Sequence, residues 1–466
     1  MIRIKIYEMN KRDFLKLTSS TMFTSALLPS SSLANIGDNL SQHLLQTAKK
    51  IAHNTAKELI ILYPEGAIDN ILPVAREFTD YTSINIKFQS TPINDIKTSI
   101  ALNKMSGQYK FDIALPATFS LPDLVEMDAI MDITDFAKKY EVKDFTPSLY
   151  THGDTYKKCK YGYQTDGDVY IMFYNNLLLG NNDYIKEFED KFGEKLDIPK
   201  NWNHIDRLIQ FFHRPDENIY GGNLFRTYDY IVWEWWARYH ATGDSVFDPD
   251  FNPNINNDAA IQALEDMISV SQYLKYETIS DGLFENWEAF AKGNIAVNIG
   301  WGGTQKYLNQ EASQVKNHLL FSPTPHFSYF NWGWNYVVSS ASPSPELSYI
   351  FCLFATLPEQ STKAVRAQKG FFDPFRSEHY NDKKIEQAYT KPFLETHKKA
   401  MMQAKPDFYI QDHTQYIKAL KDNIMYAFEG EISAQEALKL TAREWIHITQ
   451  SIGKSSQKEQ WRSLYK

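Results

Sequence analysis

Apolar residues run unbroken from Leu59 to Tyr63 and stop at Pro64-Glu65-Gly66, the pattern of a fully buried strand closed by a turn. Ile68, Ile71, Leu72, Ala75 and Phe78 then recur at helical spacing. Ile84 to Phe88 alternates apolar with polar residues and predicts a second strand. A helix from about Asn94 to Met105 and a third strand from Phe111 to Leu115 follow. Strand–helix–strand–helix–strand in so short a stretch predicts an α/β layer on a parallel sheet. In such sheets ligands gather at the carboxyl ends of the strands. Those ends are Tyr63-Pro64-Glu65, Gln89-Ser90-Thr91 and Pro116-Ala117-Thr118, which makes Glu65 and Thr118 candidate contacts. Ordinary βα loops are polar as well. Only the meeting of three such loops at one edge makes a site.

Downstream, Val169 to Asn175 reads as a long strand, and a helix from Asp258 to Tyr276 is capped by Asn257 or Asp258. Ile295 to Ile299 is a strand ending in Gly300-Trp301-Gly302-Gly303. Trp334 to Val338 is another, leading through Ser344-Pro345 into a helix from Glu346 to Leu357. Beyond about residue 384 the pattern is helical with no clear strand.

Some of these positions carry candidate chemistry. A Trp between glycines at a strand end leaves backbone amides open and an indole face free for a neighbour. Sugar C–H faces pack on such a ring while hydroxyls take the amides. Trp301, Gly302 and Gly303 are therefore candidate ligand contacts, although a core Trp on a tight turn has the same local sequence. Trp233, Trp235 and Trp236 fall within four positions of a helix and cannot all share one core, so at least one borders a cleft or the surface. The run Asp248 to Asn254 resembles a calcium loop but has Pro253 where Gly is needed and Ala259 where Glu is needed. No G-x-S-x-G, H-E-x-x-H, P-loop or dinucleotide fingerprint is present. Glycosidases need only two carboxylates at a set distance, so an exported polysaccharide hydrolase is the alternative from a different functional class. The 12 His and two Cys show no metal-ligand spacing, and neither a metal nor a cofactor is expected.

Composition adds three points. Aromatics make up 14% of the chain, with 28 Tyr, 29 Phe and 10 Trp, which suits a surface gripping a polar ligand by its apolar faces. Net charge is −8 with the basic residues dispersed, which argues against a nucleic-acid partner. The first 34 residues differ from the rest: Lys11-Arg12, a mildly apolar run from Leu17 to Leu28, and small residues at Ser32-Leu33-Ala34. This is a signal peptide cleaved near Ala34, which places the protein in the periplasm. Asn10 to Lys16 resembles the twin-arginine motif with Lys in the first Arg position, and the general secretory route accepts the same segment. Loss of residues 1–34 removes five basic and two acidic side chains and leaves a net charge of −11. Residues 35–56 read as a polar linker and 456–466 as a polar tail. Cys159 and Cys352 would allow a disulfide in an oxidising compartment, yet Cys352 sits in the apolar run Tyr349 to Phe354, where a free thiol serves as a small hydrophobe.

The order of motifs resembles the family 1 extracellular solute-binding proteins of ABC importers, the group of maltose-binding protein. The resemblance is carried by the opening strand and helix, Lys110-Phe111-Asp112-Ile113-Ala114, Tyr174-Asn175-Asn176-Leu177-Leu178, Ile198-Pro199-Lys200-Asn201-Trp202, Phe290 to Val297, Val338 to Glu346, and Gly370 to Ser377. It spans roughly residues 57–450. Asn201 stands where that family usually has Thr, and Phe372-Asp373 enlarges the late loop.

The resemblance implies the two-lobed periplasmic-binding-protein fold (type II), each lobe a mainly parallel sheet flanked by helices with the ligand between. Lobe one would be 57–167 plus 334–368, and lobe two 168–333 plus 369–455. Both cysteines would then fall in lobe one. Hinge closure over the ligand would make the chain competent to dock on the membrane permease. The expected ligand is a small solute, most simply a mono- or oligosaccharide, with a polyamine or organic acid as non-sugar alternatives, and the chain is expected to act as a monomer. Asp166, Asp168 and Tyr170 would lie at the first crossover, with Gly167 allowing an unusual backbone angle. Trp332, Trp334 and Asn335 would lie at the second, and Asp373 and Arg376 on the late loop, where Arg376 would clamp a carboxylate or brace Asp373.

Overall fold

The computed structural model describes residues 30–53, 57–142, 152–276, 280–330 and 333–464. Residues 1–29 of the expected signal peptide and the candidate Trp332 lie outside the described residues. Four strands come early: β1 (Glu58–Pro64), β2 (Asn85–Thr91), β3 (Ile113–Ala114) and β4 (Gly162–Gln164). Five more follow: β5 (Ile171–Asn175), β6 (Tyr220–Asn223), β7 (Ile295–Gly300), β8 (Leu319–Pro323) and β9 (Asn335–Val338). They form one sheet in the order β2-β1-β3-β9-β4 and a second in the order β8-β5-β7-β6. The chain passes between the sheets from β4 to β5 and returns from β8 to β9. Apolar side chains form two clusters, the first around β1 and β3, the second around helices Trp202–Phe211, Ile231–His240 and His413–Phe428.

The α/β architecture matches the sequence expectation, but both sheets are mixed. Strands β1, β2 and β3 run parallel, whereas β9 is antiparallel to β3 and β4. In the second sheet β5 is antiparallel to both β8 and β7, and only β6 and β7 are parallel. The reason lies in the connections. A strand that arrives from the other sheet, as β5 and β9 do, is not tied to its neighbour by a βαβ crossover and is free to pair in the opposite sense.

Local signals hold where they rest on capping chemistry. The Asn257 side chain accepts the Ala260 N–H at the start of helix Asp258–Ser271, and Pro345 opens helix Pro345–Ala355. Asn201, the departure from the usual Thr, accepts the His204 N–H at 2.8 Å and caps helix Trp202–Phe211. It does the work of the residue it replaces.

Two segments differ from their expected roles. Residues 35–56, read as a linker, belong largely to helix Ser30–Ala52, whose Leu40, Leu44, Leu45, Ala48 and Ala52 are buried in the first cluster. The polar residues between them hid a narrow apolar stripe at helical spacing. The expected cleavage site near Ala34 falls inside this helix. The expected tail forms helix Lys454–Ser463, where Trp461 packs 5.3 Å from Phe247 and Gln457 donates to the Gln411 carbonyl at 2.8 Å. Both thiols are free, with Cys352 fully buried. Among the described residues no helix is long and apolar enough to cross a membrane.

Candidate functional site

A cavity of about 400 Å³ is lined by loops and helices that follow strands of both sheets. One wall comes from the loops that follow β2 and β3, through Asn94, Ala117 and Phe119. The other comes from Tyr230 and Trp233 at helix Ile231–His240, Trp287 of helix Leu283–Ala291, and Trp301 and Gly303 just past β7. Trp334 and Phe371 close the side towards the crossovers. The wall is thus largely aromatic, and its rings hold one another. Trp301 lies 4.7 Å from Tyr170 and 5.7 Å from Trp233, which is itself stacked on Tyr329 at 5.6 Å. The indole N–H groups of Trp233, Trp287, Trp301 and Trp334 are buried and find no hydrogen-bond partner among the described residues. An unmade hydrogen bond on a buried donor costs roughly 1–3 kcal/mol. Four such donors belong to residues that line this one cavity.

The floor is acidic. Asp166, Asp168 and Asp373 place carboxylate oxygens within 4.8 Å of one another. Asp373 accepts from the Gly302 N–H at 2.6 Å and from the Tyr389 hydroxyl at 3.0 Å. Asp166 accepts through one oxygen from the N–H groups of Gly167 and Asp373, while its second oxygen is buried and unpartnered. Burial, then the other two carboxylates, holds Asp168 well above the ordinary carboxyl range. Burial does the same for Asp166, with Asp373 adding to it. Lys306 is fully sequestered behind this group, donating to the Phe372 carbonyl at 3.2 Å and lying over the Tyr389 ring. The three carboxylates are close enough to share a cation, and Lys306 competes for the same charge.

Across the mouth, side chains from the two halves meet. Asn94 donates to Asp229 at 2.9 Å, Lys97 bonds Asp123 and Thr414, and Asp123 accepts the Asp412 N–H at 2.6 Å. The Phe119 ring stacks on His413 at 4.5 Å, and His413 in turn meets Asp407 at 3.0 Å.

Residues 68–361 match the family model of the bacterial extracellular solute-binding proteins. The chain belongs to that family. A probable amino-acid ABC transporter periplasmic-binding protein of Sinorhizobium fredii is 22% identical over 352 residues, 72% of this chain and 77% of that one. Among solved structures, maltose-bound MalE3 of T. maritima superposes with a TM-score of 0.71 at 16% identity, covering 84% of this chain and 99% of its own. A ribitol-bound ABC transporter solute-binding protein of Agrobacterium radiobacter gives 0.72 at 15% identity, covering 84% and 98%. These likenesses establish the two-lobed fold. The chain is a solute-binding component of an ABC transporter, exported to act outside the cytoplasm, with a small molecule and the permease as its partners. The family and these neighbours are binding proteins rather than enzymes.

Within this solute-binding protein the candidate residues divide. Asp168, Trp301, Gly303 and Trp334 come together on the cavity. Asp166, Gly302, Tyr170 and Asp373 form the layer directly behind it. Gly302 is required there, since a Cβ would lie 2.3 Å from the Asp373 carboxylate. Tyr170 backs Trp301 instead of facing solute. Glu65 is exposed and its backbone N–H pairs with Thr91, away from the cavity. Thr118 and Asn335 are fully buried and bond each other, with Asn335 also reaching Asp154 at 2.9 Å. Arg376 donates to the Thr356 carbonyl at 2.5 Å and braces that turn. Gly167 does not have a positive φ; a Cβ there would meet the Pro374 carbonyl oxygen at 2.4 Å, so it is close approach that calls for glycine. Sequence reasoning flagged Trp233 only as one of a cluster and passed over Tyr230, Trp287, Phe119 and His413, which carry no local motif.

The polar supports behind the site make a pH prediction. Asp154 accepts from the Gln164 N–H at 2.8 Å and from Asn335, and burial pushes it up to about 7. The folded protein then holds a proton that the unfolded chain gives up near pH 4, so this group weakens the fold as pH rises from about 4 to about 7. Asp154→Asn keeps the accepting oxygen and removes the titration. Its unfolding free energy relative to the parent is expected to rise across that window by up to about 4 kcal/mol, read from urea unfolding at pH 4.5 and 7.5. A difference that does not change with pH rejects the assignment.

Proposed function

We propose that the solute is a carbohydrate or polyol, held between lobes formed by residues 57–167 plus 334–368 and 168–333 plus 369–455. The observation that carries this reading is an aromatic cavity lined by four Trp whose indole N–H groups have no partner among the described residues. A polyhydroxylated solute offers C–H faces to such rings and oxygens to such donors in the same molecule. Trp301, Trp334, Gly303 and Asp168 are the contacts, with Trp233 and Trp287 beside them. Solved structures similar to this one carry maltose, ribitol and, in a protein of Agrobacterium vitis, D-mannitol. The protein works as a periplasmic monomer released by cleavage near Ala34, and it turns nothing over.

Thermal-shift screening of sugars, polyols, amino acids and organic acids tests the reading. A cognate sugar at one hundred times its Kd adds about 2.7 kcal/mol of stability and raises Tm by a few degrees. Stabilisation by amino acids or organic acids alone overturns the carbohydrate reading. Release of reducing ends from oligosaccharides overturns the non-enzymatic one.

A further inference from the structure

The carbohydrate reading leaves one feature of the cavity unexplained, its floor. A neutral sugar would satisfy the indole donors but bring no charge to Asp168, while Lys306 already acts on Asp166 and Asp373. Among the described residues no basic group on the cavity side meets Asp168. Lys306 lies behind Asp373 and does not line the cavity. The basic side chains that do line it are engaged at the mouth: Lys97 with Asp123, Lys418 with Asp422, Lys421 with Asp229 at 3.8 Å, and His413 with Asp407. Of the three floor carboxylates, only Asp168 reaches the cavity. The other two spend their oxygens largely on backbone and tyrosine donors. Asp168 lines the cavity together with Trp233, Trp287, Trp301, Trp334 and Phe371, and aromatic faces attract a cation most strongly where water is excluded.

We propose that the solute carries a basic nitrogen among its hydroxyls, as an amino sugar or amino-polyol does, with its ammonium seated on Asp168. The proposal rests on the cavity being the solute site. Each half of the ligand answers a different group of residues. The hydroxyls take the indole N–H groups of Trp233, Trp287, Trp301 and Trp334, and the ammonium takes Asp168 beneath the rings of Trp301 and Trp334. A bare diamine would meet the floor and leave four buried donors unmade. A neutral sugar would do the reverse. Burial, with the neighbouring carboxylates adding to it, disfavours charge on Asp166 and Asp168, and an ammonium seated on Asp168 supplies the compensating charge.

Calorimetry on matched ligand pairs tests this: glucosamine against glucose, glucamine against sorbitol, with N-acetylglucosamine as a neutral nitrogen control and putrescine as a bare diamine. The amine member of at least one pair is expected to bind 100-fold more tightly than its neutral twin. In Asp168→Asn that ratio should fall below about fivefold, by conversion of a full charge pair to a neutral hydrogen bond. Equal affinities within both pairs, or a preference that survives Asp168→Asn, overturn the proposal while leaving the carbohydrate reading intact. Putrescine binding as tightly as the amino sugar overturns the hydroxyl half. Binding of none of these, with an amino acid or organic acid bound instead, removes both readings together. The comparison of ligand pairs on the unmodified protein stands even if the variant fails to fold.

Discussion

Replacing Glu234 by alanine is expected to destabilise the protein by about 3–5 kcal/mol, the cost of stranding a buried charge partner. Glu234 is 3% exposed on helix Ile231–His240 and is gripped from both sides. Arg226 bonds it at 2.6 Å, and the Arg238 Nε does so at 2.8 Å. Burial pushes the carboxyl up, but the two guanidiniums outweigh it and leave the group below its ordinary value. Without Glu234, Arg238 keeps Asp206 at 2.6 Å, but Arg226 keeps only Ser271 and carbonyl oxygens while remaining 1% exposed. The same helix carries Trp233 to the cavity wall, so the loss should weaken binding as well. Urea unfolding followed by tryptophan fluorescence measures it. A loss under 1 kcal/mol would mean that the network relaxes or admits water and holds nothing in place.

Trp301→Ala is expected to weaken solute binding at least 100-fold while leaving a folded chain. Trp301 is 6% exposed, lines the cavity, touches Tyr170, Trp233 and Phe225, and carries an indole N–H with no partner among the described residues. Truncation removes a stacking face and a donor together, and about 2.7 kcal/mol of binding corresponds to the hundredfold loss. The cavity it leaves also costs about 3 kcal/mol of stability. Trp301→Phe keeps the face and deletes the donor, and should cost about tenfold, one unmade hydrogen bond. Calorimetry with the best sugar from the screen, alongside circular dichroism, separates binding from folding. Unchanged affinity in Trp301→Ala would place the solute elsewhere.

Local chemistry was readable where a few neighbouring residues decide the outcome. The run Leu59 to Tyr63 became β1, Asn257 became a cap, and Gly300-Trp301-Gly302-Gly303 became one wall of the cavity because a strand end with glycines leaves little else for a Trp to do. Polar residues at other strand ends were ambiguous for a physical reason. Thr118 and Asn335 satisfy each other far apart in sequence, and no local pattern separates a polar group that meets solute from one that meets a distant carbonyl. Long-range placement hid the rest. Trp287 and His413 reach the cavity only because distant helices converge there, and Lys306, buried behind the floor, looks from its neighbours like any exposed helical lysine. Trp461 went unread because a single apolar residue in a polar run gives no periodicity.

The contacts across the mouth are of two kinds. Asn94–Asp229 and Lys97–Thr414 join partly or fully exposed polar groups, which exchange readily for water and are screened by salt. Phe119 on His413 and the Asp412 N–H on Asp123 cross the same seam between groups largely shielded from water. Unloading at the membrane then asks the chain to surrender surface contacts that water replaces at once and a smaller number of sheltered ones that it replaces less well.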